Sequence, residues 1–196
     1  MADSEGFAKL VGQLQHEQRS VECKESCPWE KLKHKIAKTA MGMANSRDGG
    51  AIIIGVAKTD NRLVPEGMSE KHRATYDPDE IQAFVNRYAD PYVRLDVTDE
   101  GFEGMGFLQI FVHEFEDVPV VCKRSSGDEL QQGAIYVRSY RIAETCKIQS
   151  QTEMRELIDM ATEKGIRRFL ERMQRAGIPL GQEMYADPFE VQLEGL

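Results

Sequence analysis

The sequence predicts a domain of mixed helices and strands, and three stretches carry the prediction. Trp29–Ala44 places Leu32, Ile36, Ala40, Met43 and Ala44 on one arc at helical spacing. AIIIGV at 51–56 is β-branched and apolar on both faces, as a central strand covered from both sides is. Two strand-like runs at 93–98 and 107–112 flank a glycine-punctuated turn, which is the pattern of a hairpin. The length of 196 residues suits one domain over 1–176 followed by a tail over 177–196.

The remaining elements follow in order. Phe7, Leu10, Val11 and Leu14 mark an amphipathic helix over 4–16. A short strand over 21–25 is closed by Pro28, and Asn45 to Gly50 ends the next helix with glycine punctuation. The polar stretch 57–76 reads as a loop. Asp77-Pro78-Asp79-Glu80 starts a helix with a cap, a proline at the first helical position and a capping box; Ile81, Phe84, Val85 and Tyr88 are its buried stripe. Strands are expected over 118–123 and 134–140. Ser150 and Glu153 box the start of a long helix to about Arg175, with Met154, Leu157, Ile158, Ala161, Phe169, Leu170 and Met173 on its apolar stripe and a basic second half.

Composition limits the function. Charged residues at 30% and hydrophobic residues at 41% are globular rather than disordered proportions. A net charge of −8 counts against broad coating of nucleic acid but leaves room for a local basic groove. Cys23, Cys27, Cys122 and Cys146 form no CxxC pair, and His16, His34, His72 and His113 are scattered, so neither a zinc site nor a disulfide framework is expected. Cys122 and Cys146 read as structural thiols, reduced in a cytoplasmic location. The acidic start lacks the apolar segment of a signal peptide, and no apolar run reaches membrane-spanning length.

Glu22 and Lys24 are two apart on a strand, so both side chains lie on one face. A carboxylate there can hold a divalent ion while the lysine orients a water or stabilises charge at phosphorus; a solvated surface pair has the same spacing. Glu17 lies five residues earlier, where a bend of the chain would bring it beside Glu22. Lys31, Lys35 and Lys38 share a helix face, either a phosphate-binding stripe or a solvated surface. Gly49-Gly50 follows a helix and precedes a strand, the reverse of a P-loop, so a sharp turn is the expected role. Tyr136, Arg138 and Tyr140 share a strand face, with Arg141 close behind; stacking and phosphate contact compete there with an ordinary exposed sheet face, the latter preferred on spacing.

Taken together these residues resemble the Schlafen AlbA-like domain family, known from bacterial proteins and the core of animal Schlafens. Three blocks are similar in order: EQRSVECK from Glu17 to Lys24, with Cys23 where the family commonly has an aromatic; ANSRDGGAIIIGV, with one extra residue between Asn45 and Gly49; and GAIYVRSYRIAET. The resemblance covers about residues 15–160. It implies an α+β fold with a curved mixed sheet flanked by helices, and binding of structured or single-stranded nucleic acid, RNA ahead of DNA. In nuclease members three acids cut RNA with a divalent cation, which here implies Mg²⁺ or Mn²⁺ held by Glu17 and Glu22, with Lys24 at the phosphate. At the usual place of the third acid this chain has Ala57-Lys58. Asp60 reaches the site from the loop, or Asp48 or Glu25 substitutes, or the site is incomplete.

Three readings follow. The first is a metal-dependent ribonuclease using Glu17, Glu22, Lys24 and Asp60, with Lys31, Lys35, Lys38, Arg138 and Arg141 positioning the backbone. The second is a binding module with the same basic residues and no metal. The third is an assembly component whose long C-terminal helix and tail dock onto a second copy or another chain.

Overall fold

The computed structural model describes residues 4–13, 18–59, 62–139 and 144–178. In chain order the elements are α1 (Ser4–Gln13), β1 (Val21–Lys24), α2 (Trp29–Ala44), β2 (Gly50–Ile54), β3 (Val56–Thr59), β4 (Arg62–Pro65), α3 (Glu70–Arg73), α4 (Pro78–Tyr88), β5 (Ala89–Asp90), β6 (Leu95–Phe102), β7 (Met105–Val112), β8 (Val121–Cys122), β9 (Tyr136–Arg138), β10 (Thr145–Lys147) and α5 (Gln151–Arg175). The fold is α+β. Its main sheet runs β1-β2-β7-β6 and is mixed: β1 and β2 are parallel, and the other neighbours are antiparallel.

The apolar run of β2 is explained by what lies on either side of it. Ile52 and Ile54 face a large core with Leu32, Ile36, Ala40 and Met43 of α2 and with Leu108 and Ile110 of β7. Ile53, on the opposite face, packs with Val21, Cys23 and Phe107 and with Phe7 and Val11 of α1. All three isoleucines are fully buried, and each such burial contributes roughly 1.5–3 kcal/mol. The same alternation puts Glu22, paired with Ile52, and Lys24, paired with Ile54, on the α2 side of the sheet's edge strand.

Several expectations are corrected. The stretch 57–76 holds a β3–β4 hairpin and the single-turn α3 rather than a loop. Its strands are too short and too exposed for alternation to show, with Val56, Ala57 and Leu63 its buried residues. The β6–β7 hairpin is longer than its apolar runs: pairing continues to Phe102 and Met105, and Glu103 and Gly104, both at positive φ, make a two-residue turn. The strands expected over 118–123 and 134–140 shrink to β8 and β9, and β10, three residues long, carries too little sequence for any period to appear. Asp77 caps α4 through the Glu80 amide at 2.9 Å, while the Glu80 carboxylate turns to Trp29 Nε1 at 3.1 Å and ties α4 to α2. Ser150 and Glu153 form the full capping box of α5.

Along α5, Leu157 and Met160 are buried, while Ile158, Phe169 and Leu170 of the anticipated stripe are exposed. Ion pairs hold the helix to the body: Arg19–Glu156 at 3.1 Å, Arg47–Glu163 at 2.9 Å, Lys164–Glu114 and Arg168–Asp117. Among the described residues, no helix is long and apolar enough to cross a membrane.

Candidate functional site

Two glycines bring the strands together where the site begins. Gly49 has a φ of +71°, and a Cβ on it would lie 1.9 Å from the Val112 carbonyl oxygen. Gly50 lies so close to the Ser20 carbonyl and the Met43 side chain that a Cβ would meet both. The pair therefore makes the sharp turn that the order helix, glycines, strand implied. Asn45, the residue at the end of α2, is buried and clamps two distant segments. Its amide donates to the carbonyls of Val120 and Tyr136, both at 2.9 Å, and its side-chain oxygen accepts from the Val120 amide at 2.7 Å. Asn45 thus fixes β9 across α2, and β9 carries Arg138.

Arg138 is fully buried. The expectation of an exposed face shared by Tyr136 and Arg138 is corrected: both are inside, because β9 is covered by α2 and β10. The guanidinium donates from Nη1 to Glu22 Oε2 at 2.6 Å and to Thr145 Oγ1 at 3.3 Å. It also donates to the carbonyls of Arg19 at 2.9 Å, Gln18 at 3.2 Å and Val21 at 3.4 Å. Arg19 returns the contact through Nε to the Arg138 carbonyl at 3.0 Å and carries on to Glu156 of α5. Arg138 so placed is a buried partner of Glu22 and of the chain leading into β1, with no surface to offer a phosphate.

Glu22 is 7% exposed. Oε2 accepts from Arg138 and Oε1 from Lys24, so both carboxylate oxygens face cations. An ion seated at Glu22 would have to displace one of them, and the pair of positive charges works against it. Glu17 and Asp60, the other carboxylates expected to hold Mg²⁺ or Mn²⁺, lie outside the described residues, as does Arg141. Among the described residues, no group of three His, Cys, Asp or Glu side chains is placed to hold a metal.

Beside this pair opens a cleft of about 360 Å³. Lys24, Lys35, Lys38 and Lys58 line it together with Glu22, Glu129, Glu144, Thr39 and Thr145. Of the residues the sequence singled out, Lys24, Lys35 and Lys38 line it, and so does Lys58, which stands with Ala57 at the usual place of the third acid. Lys31 is exposed on α2 and does not line the cleft. Lys38 lies 3.7 Å from Glu129 and over the Tyr136 ring at 5.9 Å. Gly42 lets the back wall close: a Cβ there would come within 2.6 Å of Thr145 Cγ2, the residue that also receives Arg138. Burial pushes the Cys122 and Cys146 thiols up, which keeps them protonated and suits inert thiols. Sequence reasoning gave no site role to Asn45, Thr145 or Arg19; an Asn four residues before the Gly49-Gly50 turn was the one visible signal.

An α+β domain with a lysine-lined cleft against the edge of a mixed sheet is the class that fold and site define. A family model described as "Schlafen, AlbA_2" matches residues 17–147, and the chain belongs to that family. It is accordingly a Schlafen AlbA-like, nucleic-acid-associated domain. No curated protein matches the chain. Among solved structures it is similar to the DIP2311 protein from Corynebacterium diphtheriae, at 18% identity and a TM-score of 0.49 over 75% of this chain and 26% of that one. The N-terminal domain of a putative ATP-dependent DNA helicase RecG-related protein from Nitrosomonas europaea is similar at 19% identity and a TM-score of 0.45, over 77% of this chain and 97% of that one. This chain therefore spans about a quarter of the Corynebacterium protein.

Proposed function

We propose that the domain binds a nucleic-acid backbone in the cleft between α2 and the β9–β10 pair, RNA ahead of DNA, and that Glu22 serves this as a structural carboxylate rather than as a metal ligand. One observation carries the reading: both oxygens of Glu22 are taken by Arg138 and Lys24, while four lysines converge on the cleft beside it. Lys24, Lys35, Lys38 and Lys58 offer point charges suited to phosphate oxygens, and among the described residues the cleft lining contains no aromatic ring on which a base would stack. The contact is therefore electrostatic and indifferent to sequence. Glu129 competes with phosphate for Lys38 and tempers affinity. The overall charge of −8 acts in the same direction away from the cleft and confines binding to it.

The test is binding of a labelled single-stranded RNA and the matching DNA across a salt series, with Mn²⁺, with Mg²⁺ and with chelator. Binding that persists in chelator and weakens with salt is expected, with a slope of roughly 0.7 per phosphate neutralised. Lys35→Gln with Lys38→Gln should reduce that slope by about 1 to 1.5. Affinity unchanged in the double variant overturns the cleft as the binding surface. Metal-dependent cutting that disappears in Glu22→Gln would replace the reading with the ribonuclease one and direct attention to Glu17 and Asp60.

A further inference from the structure

The two edges of the main sheet are finished differently. β1, at one edge, borders the lysine cleft, and Arg138 donates to its Val21 carbonyl. β6, at the other edge, is eight residues long and pairs on one side, with β7. The His113 amide donates to the Arg94 carbonyl at 3.0 Å, so the Arg94 carbonyl points toward the β7 side. The next residue turns outward: the Leu95 amide donates to Gln82 Oε1 of α4, also at 3.0 Å. Direction alternates along an antiparallel ladder, so the amides and carbonyls of Val97, Asp99 and Gly101 face outward with Leu95. Among the described residues they have no hydrogen-bond partner on that side. Gln82 closes one end of this open run, and α1 lies against Phe102 at the other.

The side chains along the run say what fits it. Asp96, Thr98 and Glu100 stand on one face of β6, Val97 and Asp99 on the other, and the strand holds no Lys or Arg. The Asp96 and Asp99 side chains are 53% and 65% exposed. Asp96 is bonded to His113, Asp99 to Arg73, and Glu100 accepts from the Thr98 hydroxyl at 2.9 Å. At the hairpin end a cavity of about 810 Å³ opens beside Glu100, with Met68, Met105, Phe107, Glu66 and Glu70 in its lining. Arg73 also lines it but is tied to Asp99, and among the described residues Glu66 and Glu70 have no ion-pair partner. A second copy does not suit this edge. Paired antiparallel about Asp99 it sets Asp99 against Asp99; about Thr98, Asp96 against Glu100; about Glu100, Glu100 against itself. Like charges directly opposite destabilise a strand pair. A nucleic-acid backbone would meet the same carboxylates and be repelled.

We infer that β6 accepts an added strand from another polypeptide, an extended segment with basic residues at alternate positions. Its backbone pairs with the outward amides and carbonyls of Val97, Asp99 and Gly101. Its basic side chains lie beside Asp96 and Glu100, and the side chains between them lie beside Val97. A lysine or arginine at the hairpin end enters the cavity, with its aliphatic stem against Met105 and its charged head at Glu66 and Glu70. The carboxylates that keep a second copy off this edge thus choose the partner by charge. Because β6 and the lysine cleft lie at opposite edges of the sheet, partner and nucleic acid do not compete for one surface.

Fluorescence anisotropy tests this, with the full-length chain titrated into a labelled, end-blocked peptide of alternating lysine and valine as long as β6. Saturable binding is expected, and none by the glutamate–valine counterpart. Two further peptides, N-methylated at every lysine or at every valine, each lose the donors of one strand edge and keep those of the other. One of them should lose at least about tenfold in affinity while the other keeps it. Asp96→Asn with Glu100→Gln should weaken binding by about tenfold. Asp99→Pro removes an outward amide at an edge, where proline is tolerated, and should weaken binding more than Asp99→Asn, which keeps the amide. Equal affinity of the two methylated peptides overturns the inference, because the contact then does not use one strand edge. Absence of binding by the unmethylated lysine–valine peptide overturns it as well. So does a mass by light scattering that doubles without peptide and returns to the monomer in Asp99→Pro, which would give the edge to a second copy.

Discussion

Replacing Arg138 with Met isolates the part of the site that everything else leans on. The substitution removes the bond to Glu22 and the bonds to the carbonyls of Gln18, Arg19 and Val21 while keeping most of the volume. Gln18 is exposed and Arg19 half-buried, so water can reach their carbonyls and their loss adds little. Glu22 is different. Its charge stays buried, and breaking a buried pair from one side costs about 3–5 kcal/mol. Lys24, about a quarter exposed, still holds one oxygen and brings the expectation to the lower end, about 3 kcal/mol. That is a large part of the roughly 5–15 kcal/mol by which domains are stable. With an m value of about 2 kcal/mol/M, the urea midpoint should fall by about 1.5 M. Adding Glu22→Leu to Arg138→Met should recover part of the loss, because the uncompensated charge is gone. A single-variant loss under about 1 kcal/mol, with no recovery in the double, would refute the argument. It would show that the Glu22 carboxylate does not depend on Arg138 and is free for other chemistry.

Other outcomes follow from the same geometry. Asn45→Ala leaves the buried Val120 amide and the Val120 and Tyr136 carbonyls without their partner and should cost about 2–4 kcal/mol by denaturant titration, with RNA affinity falling as β9 loosens. Gly49→Ala places a methyl against the Val112 carbonyl at a positive φ, and the soluble yield of that variant should collapse while Gly165→Ala, which meets nothing, is tolerated. Acid should release α5 before the core. Burial works to raise the Glu114 carboxyl, but hydrogen bonds from Lys164 and the Asp48 amide hold it below its usual range, and Arg47 holds Glu163 low in the same way. A lowered pKa means the contribution is complete above the ordinary carboxylate range and is lost as pH falls through the folded value. Proteolysis within 151–175 should therefore accelerate as the pH falls below the ordinary carboxylate range, while α2 and β2 remain protected.

The parts of the fold legible in the sequence were those whose period ran long enough to be read. β2 was evident because three isoleucines face two cores, and α2 because sixteen residues give more than four turns of one arc. Strands of two to four residues, such as β8, β9 and β10, carry no period and take their place from tertiary contacts. The site divides in the same way. The strand period placed Glu22 beside Lys24, and the helix period placed Lys31, Lys35 and Lys38 on one face, of which Lys35 and Lys38 line the cleft and Lys31 does not. Arg138 was misread because an arginine between tyrosines on a strand looks the same whether it faces water or a buried carboxylate, and its partner lies 116 residues away. Lys58, which the resemblance puts with Ala57 at the usual place of a third acid, is one of the cations that line the cleft.

The position of Arg138 has one more consequence, for the margin of the sheet. β1 is an edge strand, and edge strands offer unpaired carbonyls to any chain that drifts alongside. Here one guanidinium occupies the carbonyl of Val21, the first residue of β1, and those of Gln18 and Arg19 in the chain leading into it, a task that elsewhere falls to a covering helix or a further strand. A border held at its first residue by one side chain is loosened there by one mutation. Loss of Arg138 would leave not merely a weaker domain but a sticky one, whose exposed margin recruits its own kind by strand addition.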